Sequence, residues 1–299
     1  MGSLSGKAYD FKVDGICYNI TGDSTVDVTF NTDYDYRGRV KIPNVVSDRD
    51  VTYMVTGIDN SAFYNCREVT SVAIPNSVTA IGEAAFANCE LLATINIPNS
   101  VTTIGDFAFN SCENLRMMKI PNSVTMIGSH AFSLCSSMMS VTLPNSITRI
   151  EDFTFYGCVS LTSITIPYSV TSIGEHAFQR CDNLSLITIL SPMPPSLFDG
   201  LCFSDDCYEN TVLQVPVGTL QNYKSDLSWN RFLHAYGIGD VNSDDEISVA
   251  DINELVTMIL DVDNNRIGDV NNDNEINLAD INALIDLILR CVQEPAHDE

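Results

Sequence analysis

The chain has 299 residues, with 39 Asp and Glu against 15 Lys and Arg, a formal net charge of −24 and 45% hydrophobic residues. That length holds two or three modules, each able to bury a core. The acidity argues against nucleic acid or an anionic membrane surface as partner, and no run of about 18 apolar residues is present to insert into a bilayer.

The N-terminus, MGSLSGKAYDF, has no apolar signal region, so the numbering is expected to start in a mature form of the protein. Between about residues 51 and 190 the sequence repeats with a period of 23. An apolar residue and a proline recur at Ile74-Pro75, Ile97-Pro98, Ile120-Pro121, Leu143-Pro144 and Ile166-Pro167. A Phe recurs at 63, 86, 109, 132, 155 and 178, and a Cys at 66, 89, 112, 135, 158 and 181. A short fixed period means a solenoid, because one coil cannot bury its apolar face without a neighbour. In the unit from Leu161, the positions Leu161, Ile164 and Ile166 form a short inward-facing strand that proline ends. Val170 and Ile173 return to the core, and Gly174-Glu175 leads into an expected helical turn carrying Phe178 and Cys181.

Equivalent cysteines of stacked coils lie about 5 Å apart with parallel side chains, which suits a disulfide's Cα spacing but not its near-perpendicular torsion. A buried thiol ladder is therefore expected. Cys202 and Cys207 are out of phase, and a local disulfide between them stays open; Cys17 and Cys291 have no evident partners. Asn60, Glu83, Asp106, Ser129, Asp152 and Glu175 form a column of acceptors, each three residues before the Phe. Capping of free amides at a helical turn explains them better than a glycosidase carboxylate pair. The outward strand positions are Ser71 and Ala73, Thr94 and Asn96, Met117 and Lys119, Ser140 and Thr142, Ser163 and Thr165, then Leu186 and Thr188. They make either a solvated strand surface or a ligand-binding face, in which a specific contact would centre on Met117 and Lys119 beside Asn96. His130, His176, His234 and His297 lack metal-ligand spacing, and no GxSxG, HExxH or phosphate-cradling glycine loop occurs, so no enzyme class has a positive signal.

The pattern LxxIxIPxSVTxIGxxAFxxC, with six copies of its AFxxC element, resembles the BspA-like leucine-rich repeat family of bacterial surface proteins. The opening AYDFKVDGICYNI resembles that family's N-terminal cap, and LQVPVGTLQNYKSDLSWNRF resembles its closing element. The resemblance implies adhesion, or recognition of a host or bacterial surface protein or a glycan, outside the cell and without chemistry of its own.

Two acidic twelve-residue loops follow, Asp240 to Asp251 and Asp269 to Asp280. Positions 1, 3, 5, 7, 9 and 12 are Asp240, Asn242, Asp244, Glu246, Ser248 and Asp251 in the first, and Asp269, Asn271, Asp273, Glu275, Asn277 and Asp280 in the second. Calcium takes six to eight oxygens, and alternating side chains on a tight loop converge on one point, with position 7 giving its carbonyl and position 9 a water-mediated contact. Two in-phase copies point to two bound Ca2+ ions. Residues 237 to 299 carry 16 Asp and Glu against two Arg, a net of −14 out of −24, so the acidity is largely that of cation sites. Position 6 is Asp245 or Asn274 rather than Gly, and position 12 is Asp rather than Glu.

The duplicated GDVNxDxxIxxxDINxLxxxIL block resembles a type I dockerin, which implies two antiparallel loop-helix units and a cohesin-type protein partner. The recognition positions the resemblance implies are Val249 with Ala250 and Leu278 with Ala279, apolar here. Only a few residues separate the closing element from Asp240, so a cap packed in cis, with Trp229, Phe232 and Tyr236 offering the apolar contact, stays open beside docking, as does a glycan-binding accessory component of a polysaccharide-degrading complex. The fold expected is thus an α/β leucine-rich repeat solenoid of short strands and helical turns, followed by a small all-α dockerin-like module of paired EF-hand-like loop-helix units. Its expected boundaries are 8–50 for the N-terminal cap, 51–190 for the array, 191–236 for the closing cap and 237–292 for the calcium module. The protein is expected to be secreted or held at the cell surface.

Overall fold

The computed structural model describes residues 9–31, 36–198, 201–242, 244, 246–261, 266–271, 273 and 275–293. Asp245, Asn274 and His297 lie outside the described residues, as does the side chain of Cys291. The chain forms two compact units, Met1–Leu184 with Pro195–Ser204, and Ser185–Pro194 with Asp205–Glu299.

In the first unit, coils stack with a register of one repeat. Gly38–Lys41, Val69–Ala73 and Thr94–Asn96 pair in parallel, as do Met117–Lys119 and Ser140–Thr142. A second row of short parallel pairings joins Val51–Ile58, Ala80–Ile81, Thr103–Ile104 and Met126–Ile127, and another joins Arg149–Ile150, Ser172–Ile173 and Ser196–Leu197. At the N-terminal end an antiparallel meander of Phe11–Val13, Ile16–Gly22 and Thr25–Thr29 covers the array edge, its last strand pairing in parallel with Val51–Ile58. Its first hairpin turns at Asp14 and Gly15, both at positive φ, as a two-residue turn of matching twist requires.

The core is a column of rings. Phe63, Phe86, Phe109, Phe132, Phe155 and Phe178 stack at centroid separations between 4.9 and 5.6 Å. Tyr36 closes one end at 4.5 Å and Phe203 extends the other at 5.3 Å. Beside it runs the thiol ladder: Cys89 donates to the Phe63 carbonyl at 3.1 Å, and Cys112, Cys135, Cys158 and Cys181 repeat the contact one coil on. All nine described cysteines, Cys202 and Cys207 included, are buried thiols that form no disulfide.

The segments carrying these rings are not helical turns; this corrects the sequence expectation. They are runs of tight turns with two left-handed residues per coil, for example His130 (φ 56) and Leu134 (φ 60). The alternation splits the backbone bonding. Phe63, Asn65 and Ser61 donate to Ala85, Ala87 and Glu83 of the next coil, whereas Ala62, Tyr64 and Cys66 close turns within their own. A helix would spend every amide on its own segment; here half of them tie coils together. A left-handed non-glycine residue costs roughly 1 kcal/mol. In mid-array those positions are Phe107, His130, Phe153 and His176, whose rings stack at 4.5, 4.5 and 4.8 Å, a contact worth about 0.5–1.5 kcal/mol. Desolvation between the rings pushes the His130 imidazole below its usual range, against the opposing pull of Asp106 and Asp152.

The acceptor column also works between coils rather than as a helix cap. Asn60 Oδ1 accepts from the Glu83 amide at 2.8 Å, Asp106 Oδ1 from Ser129 at 2.8 Å, and Asp152 Oδ1 from Glu175 at 2.9 Å. The glycine before the acceptor is fixed by this approach: a Cβ on Gly82 would lie 2.6 Å from the Asn60 amide nitrogen, and on Gly105 2.7 Å from that of Glu83. At the equivalent place Glu151 stands over Ser129, the shortest side chain of the column.

In the second unit Leu186–Ile189, Val212–Val215 and His234–Gly237 pair in parallel, with short helices α1 (Asp205–Asn210) and α2 (Leu220–Ser225) between them. Trp229 and Phe232, expected to meet the calcium module, join Tyr223 and Tyr208 in a buried aromatic cluster, beside which Arg231 stacks 3.8 Å over Tyr208 and pairs with Asp205 at 2.9 Å. Two longer helices follow, α3 (Val249–Asp261) and α4 (Leu278–Gln293). Val241, Leu255, Met258, Ile267, Val270 and Leu284 form their shared core, with Tyr236 packed against it. The strand end carries straight into this core: Ile238 donates to the Val215 carbonyl at 2.7 Å and Asp240 to Gly237 at 3.1 Å.

Gly128→Ala, whose methyl would strike the Asp106 backbone, is expected to cost about 1–3 kcal/mol in urea denaturation; a change below about 0.5 kcal/mol would contradict the close-approach account. Burial pushes the Cys66 thiol up to about 11 and Cys135 to about 12, so the array thiols should resist alkylation at pH 8 until the unit unfolds. Rapid labelling of the native protein would contradict the ladder.

Candidate functional site

Two places hold the residues the sequence singled out. In the repeat unit the outward strand positions line up in two columns set by the register Ser71 to Thr94 and Ala73 to Asn96, and Met117 to Ser140 and Lys119 to Thr142. Met117 is 67% exposed, and Asn96, Lys119 and Thr142 share a groove of about 630 Å³ with Asn76, Asn99 and Asn122. The last pair departs from expectation. Leu186 and Thr188 are buried, Thr188 bonding Gln214 at 3.3 Å, so they leave this face.

The sequence reading missed the start of the face. Gly38–Lys41 adds Arg39 and Lys41 to the two columns, opposite Ser71 and Ala73. A signal was present, since VKIPN at 40–44 matches MKIPN at 118–122. The hairpin of Val45–Asp48 with Val51–Ile58 interrupts the period after it and hides the match.

In the second unit the paired loops take the same form residue by residue. Asp251 Oδ1 accepts the Asn242 amide at 3.1 Å and Oδ2 that of Ser248 at 2.7 Å; Asp280 does the same with Asn271 at 3.1 Å and Asn277 at 2.8 Å. Asp240 Oδ1 accepts from Asp244 and Asp269 Oδ1 from Asp273, both at 3.0 Å. Asp244 and Asp273 accept from Glu246 and Glu275, each at 2.9 Å. Ser248 and Asn277 accept the amides of Ala250 and Ala279 at 3.0 and 2.8 Å. Positions 9 and 12 thus form a reciprocal capping box that starts α3 and α4, a role additional to that expected from the spacing.

Asp240, Asp251, Asp269 and Asp280 are buried, Asp251 and Asp280 completely. Asn242, Ser248 and Asn277 are half-buried, and Asp244, Glu246, Asn271, Asp273 and Glu275 are exposed. Among the described residues no ion pair reaches Asp251 or Asp280, and no group of three or more His, Cys, Asp or Glu is gathered as a metal site. The loop oxygens are turned to loop amides. The donor set nonetheless fits a hard divalent cation: it is all oxygen, and buried carboxylates are costly unless paired or metal-bound. Val249, Ala250, Leu278 and Ala279 are all exposed, Val249 at 64% and Leu278 at 70%. Val256 with Leu260, and Ile285 with Leu289, are exposed 7 and 11 residues further along each helix. Those spacings are about two and three turns, so each helix presents one apolar stripe. The 29-residue recurrence, Val256 to Ile285 and Leu260 to Leu289, is the signal that could have found it.

Stacked 23-residue coils with a parallel strand face define a leucine-rich repeat protein. Residues 55–212 match the BspA type leucine rich repeat region in six copies, and the chain belongs to that family. It is similar to a leucine rich cell surface protein from Faecalibacterium prausnitzii, at 26% identity over 77% of this chain and 72% of that one, with a TM-score of 0.50. It is also similar to leucine-rich repeat proteins from Bacteroides ovatus (25% identity, 77% and 76% covered, TM-score 0.45) and T. pallidum (26%, 56% and 87%, TM-score 0.44). No curated protein matches the chain. The family match ends at residue 212, before the paired loops. Among the described residues no helix is long and apolar enough to cross a membrane.

Asp280→Ala in the presence of chelator should cost roughly 1–3 kcal/mol, because it removes a cap and orphans buried amides, whereas Asp273→Ala should cost less. Urea unfolding followed by helical circular dichroism checks this, and equal effects of the two would contradict the capping-box assignment.

Proposed function

We propose that the chain is a non-enzymatic recognition protein of the cell exterior, whose repeat array presents its strand face to a ligand and whose paired-loop unit binds two Ca2+ ions and docks to a cohesin-type partner. The observation that carries the docking half is the duplicated exposed stripe: Val249, Val256 and Leu260 on α3, and Leu278, Ile285 and Leu289 on α4. Apolar side chains exposed at matching places on two helices suit burial by a partner. The array half rests on family membership, and on a cell surface protein among the similar structures. In each loop the position 1, 3, 5 and 12 side chains, Asp240, Asn242, Asp244 and Asp251 and their counterparts Asp269, Asn271, Asp273 and Asp280, would hold the ion, with the carbonyl of Glu246 or Glu275. The bound ions would cancel four negative charges of this acidic end.

One observation favours a second role for the same unit. Tyr236, on the closing strand His234–Gly237, packs against the helical core, so calcium binding would also brace that strand in cis. Calcium at a hundred times its dissociation constant would add roughly 2.7 kcal/mol to the unit that binds it.

Titration calorimetry should find two calcium ions per chain, falling to one in Asp240→Ala or Asp269→Ala. A cohesin panel should retain the chain in calcium and release it in chelator, with Val249→Glu plus Leu278→Glu abolishing capture. No calcium uptake at millimolar concentration would defeat the metal assignment. Calcium uptake without cohesin capture, together with a higher melting temperature in calcium, would leave only the bracing role.

A further inference from the structure

The six strand-and-turn stretches of the array, residues 38–44, 69–77, 92–100, 115–123, 138–146 and 161–169, contain no Asp or Glu, in a chain that has 39 of them. They do contain Arg39, Lys41, Arg116 and Lys119, all exposed. Among the described residues none of these four enters an ion pair, while Arg37, Arg67 and Arg149 pair with Glu68, Glu90, and Glu151 with Asp152. The acidic residues of the array are thus confined to the other sides of the coils. One face of an otherwise strongly anionic molecule carries net positive charge, with Asp14 the one carboxylate lining the hollow that adjoins Arg39 and Lys41.

The face is also shaped as a track. A hollow of about 670 Å³ beside Tyr18 shares Arg39 and Lys41 with a shallower one of about 410 Å³. That one shares Asn96 with the groove of about 630 Å³ that reaches Lys119 and Thr142. Five strands are crossed, and at a strand spacing of about 4.8 Å the track runs roughly 19 Å, with Lys41 and Lys119 about 14 Å apart along one column.

We infer that this track binds an acidic polysaccharide, a chain of sugar units bearing carboxylate or sulfate groups, with Arg39, Lys41 and Lys119 meeting the anions. The inference rests on the reading of the strand face as the ligand surface. Between and beside the cations lie Asn76, Asn96, Asn99 and Asn122, with Ser140 and Thr142 on the strand beyond Lys119, and their amides and hydroxyls both donate and accept and so match sugar hydroxyls. Protein partners are held by aromatic and apolar anchors in pockets, whereas no outward strand position from Arg39 to Thr165 is aromatic and Met117 is the single large apolar side chain among them. Charge spaced along an open track suits an extended polymer with repeating anions. The acidic remainder of the molecule repels neutral ligands not at all and polyanions everywhere else, so contact is confined to this face.

The test uses the full chain on immobilised polygalacturonate and chondroitin sulfate, with methyl-esterified galacturonan and dextran as neutral polymers and poly-glutamate as an acidic peptide. The expected result is retention on an acidic glycan, at least tenfold stronger than on the neutral polymers or poly-glutamate. Arg39→Ala, Lys41→Ala and Lys119→Ala combined should weaken it at least tenfold, while Lys12→Ala on the meander leaves it unchanged and all variants keep the parent melting temperature. No binding to either acidic glycan, binding unaffected by the triple variant, or tighter binding of poly-glutamate would each overturn the inference. Retention on a neutral polymer that Thr94→Trp abolishes would overturn the acidic assignment while leaving the strand face as ligand surface; acidic-glycan binding indifferent to Thr94→Trp and to the triple variant would remove both.

Discussion

Everything in the repeat unit depends on how the turn segments divide their amides. Alternate residues close local turns and reach across to the next coil, as Ala62 and Phe63 do toward Asp59 and Ala85. The division requires left-handed residues at two places per coil, mostly not glycine. The strain is offset by what the arrangement stacks: the buried Phe ladder, the thiols donating to carbonyls one coil back, and the outer column of Phe107, His130, Phe153 and His176. With coils locked in this register, the opposite side of each coil is a strand whose side chains must fall into columns. The strand face is a consequence of the turns.

Much of this was legible in the sequence, because a solenoid writes its core as a period. Phe63 to Phe178 and the proline positions gave the stacking direction and the inward residues without any structure. The conformation of the turns was not legible. AFxxC with an acidic or amide residue before it reads equally as a capped helical turn, and left-handed Phe107 or His130 carries no local mark as glycine would. The function of Asn60, Asp106 and Asp152 changed accordingly, from capping their own coil to holding the amide of the next.

The face was half legible. Its middle, around Asn96, Met117 and Lys119, followed from strand alternation, but its positive end did not, because the Val45–Ile58 hairpin breaks the period after Arg39 and Lys41. At the other end, Leu186 and Thr188 are buried because the strand they belong to continues into the sheet of Val212–Val215. The paired loops are a duplication in sequence and in hydrogen bonding alike. Their carboxylates nonetheless have structural employment that spacing alone could not show, since Asp251 and Asp280 cap α3 and α4. Trp229 and Phe232 have ring partners of their own, Tyr223 nearby in sequence and Tyr208 on α1, and nothing in the local sequence marks that pairing.

The most direct test of the coil-sharing account is native-state hydrogen exchange of the Phe86, Phe109, Phe132 and Phe155 amides, each of which donates to the next coil. If the turns are bound between coils, these four amides exchange slowly and with a common opening free energy, at the level of the strand amides. Exchange at the rate of exposed turns, or a graded series in which each coil opens alone, would contradict it.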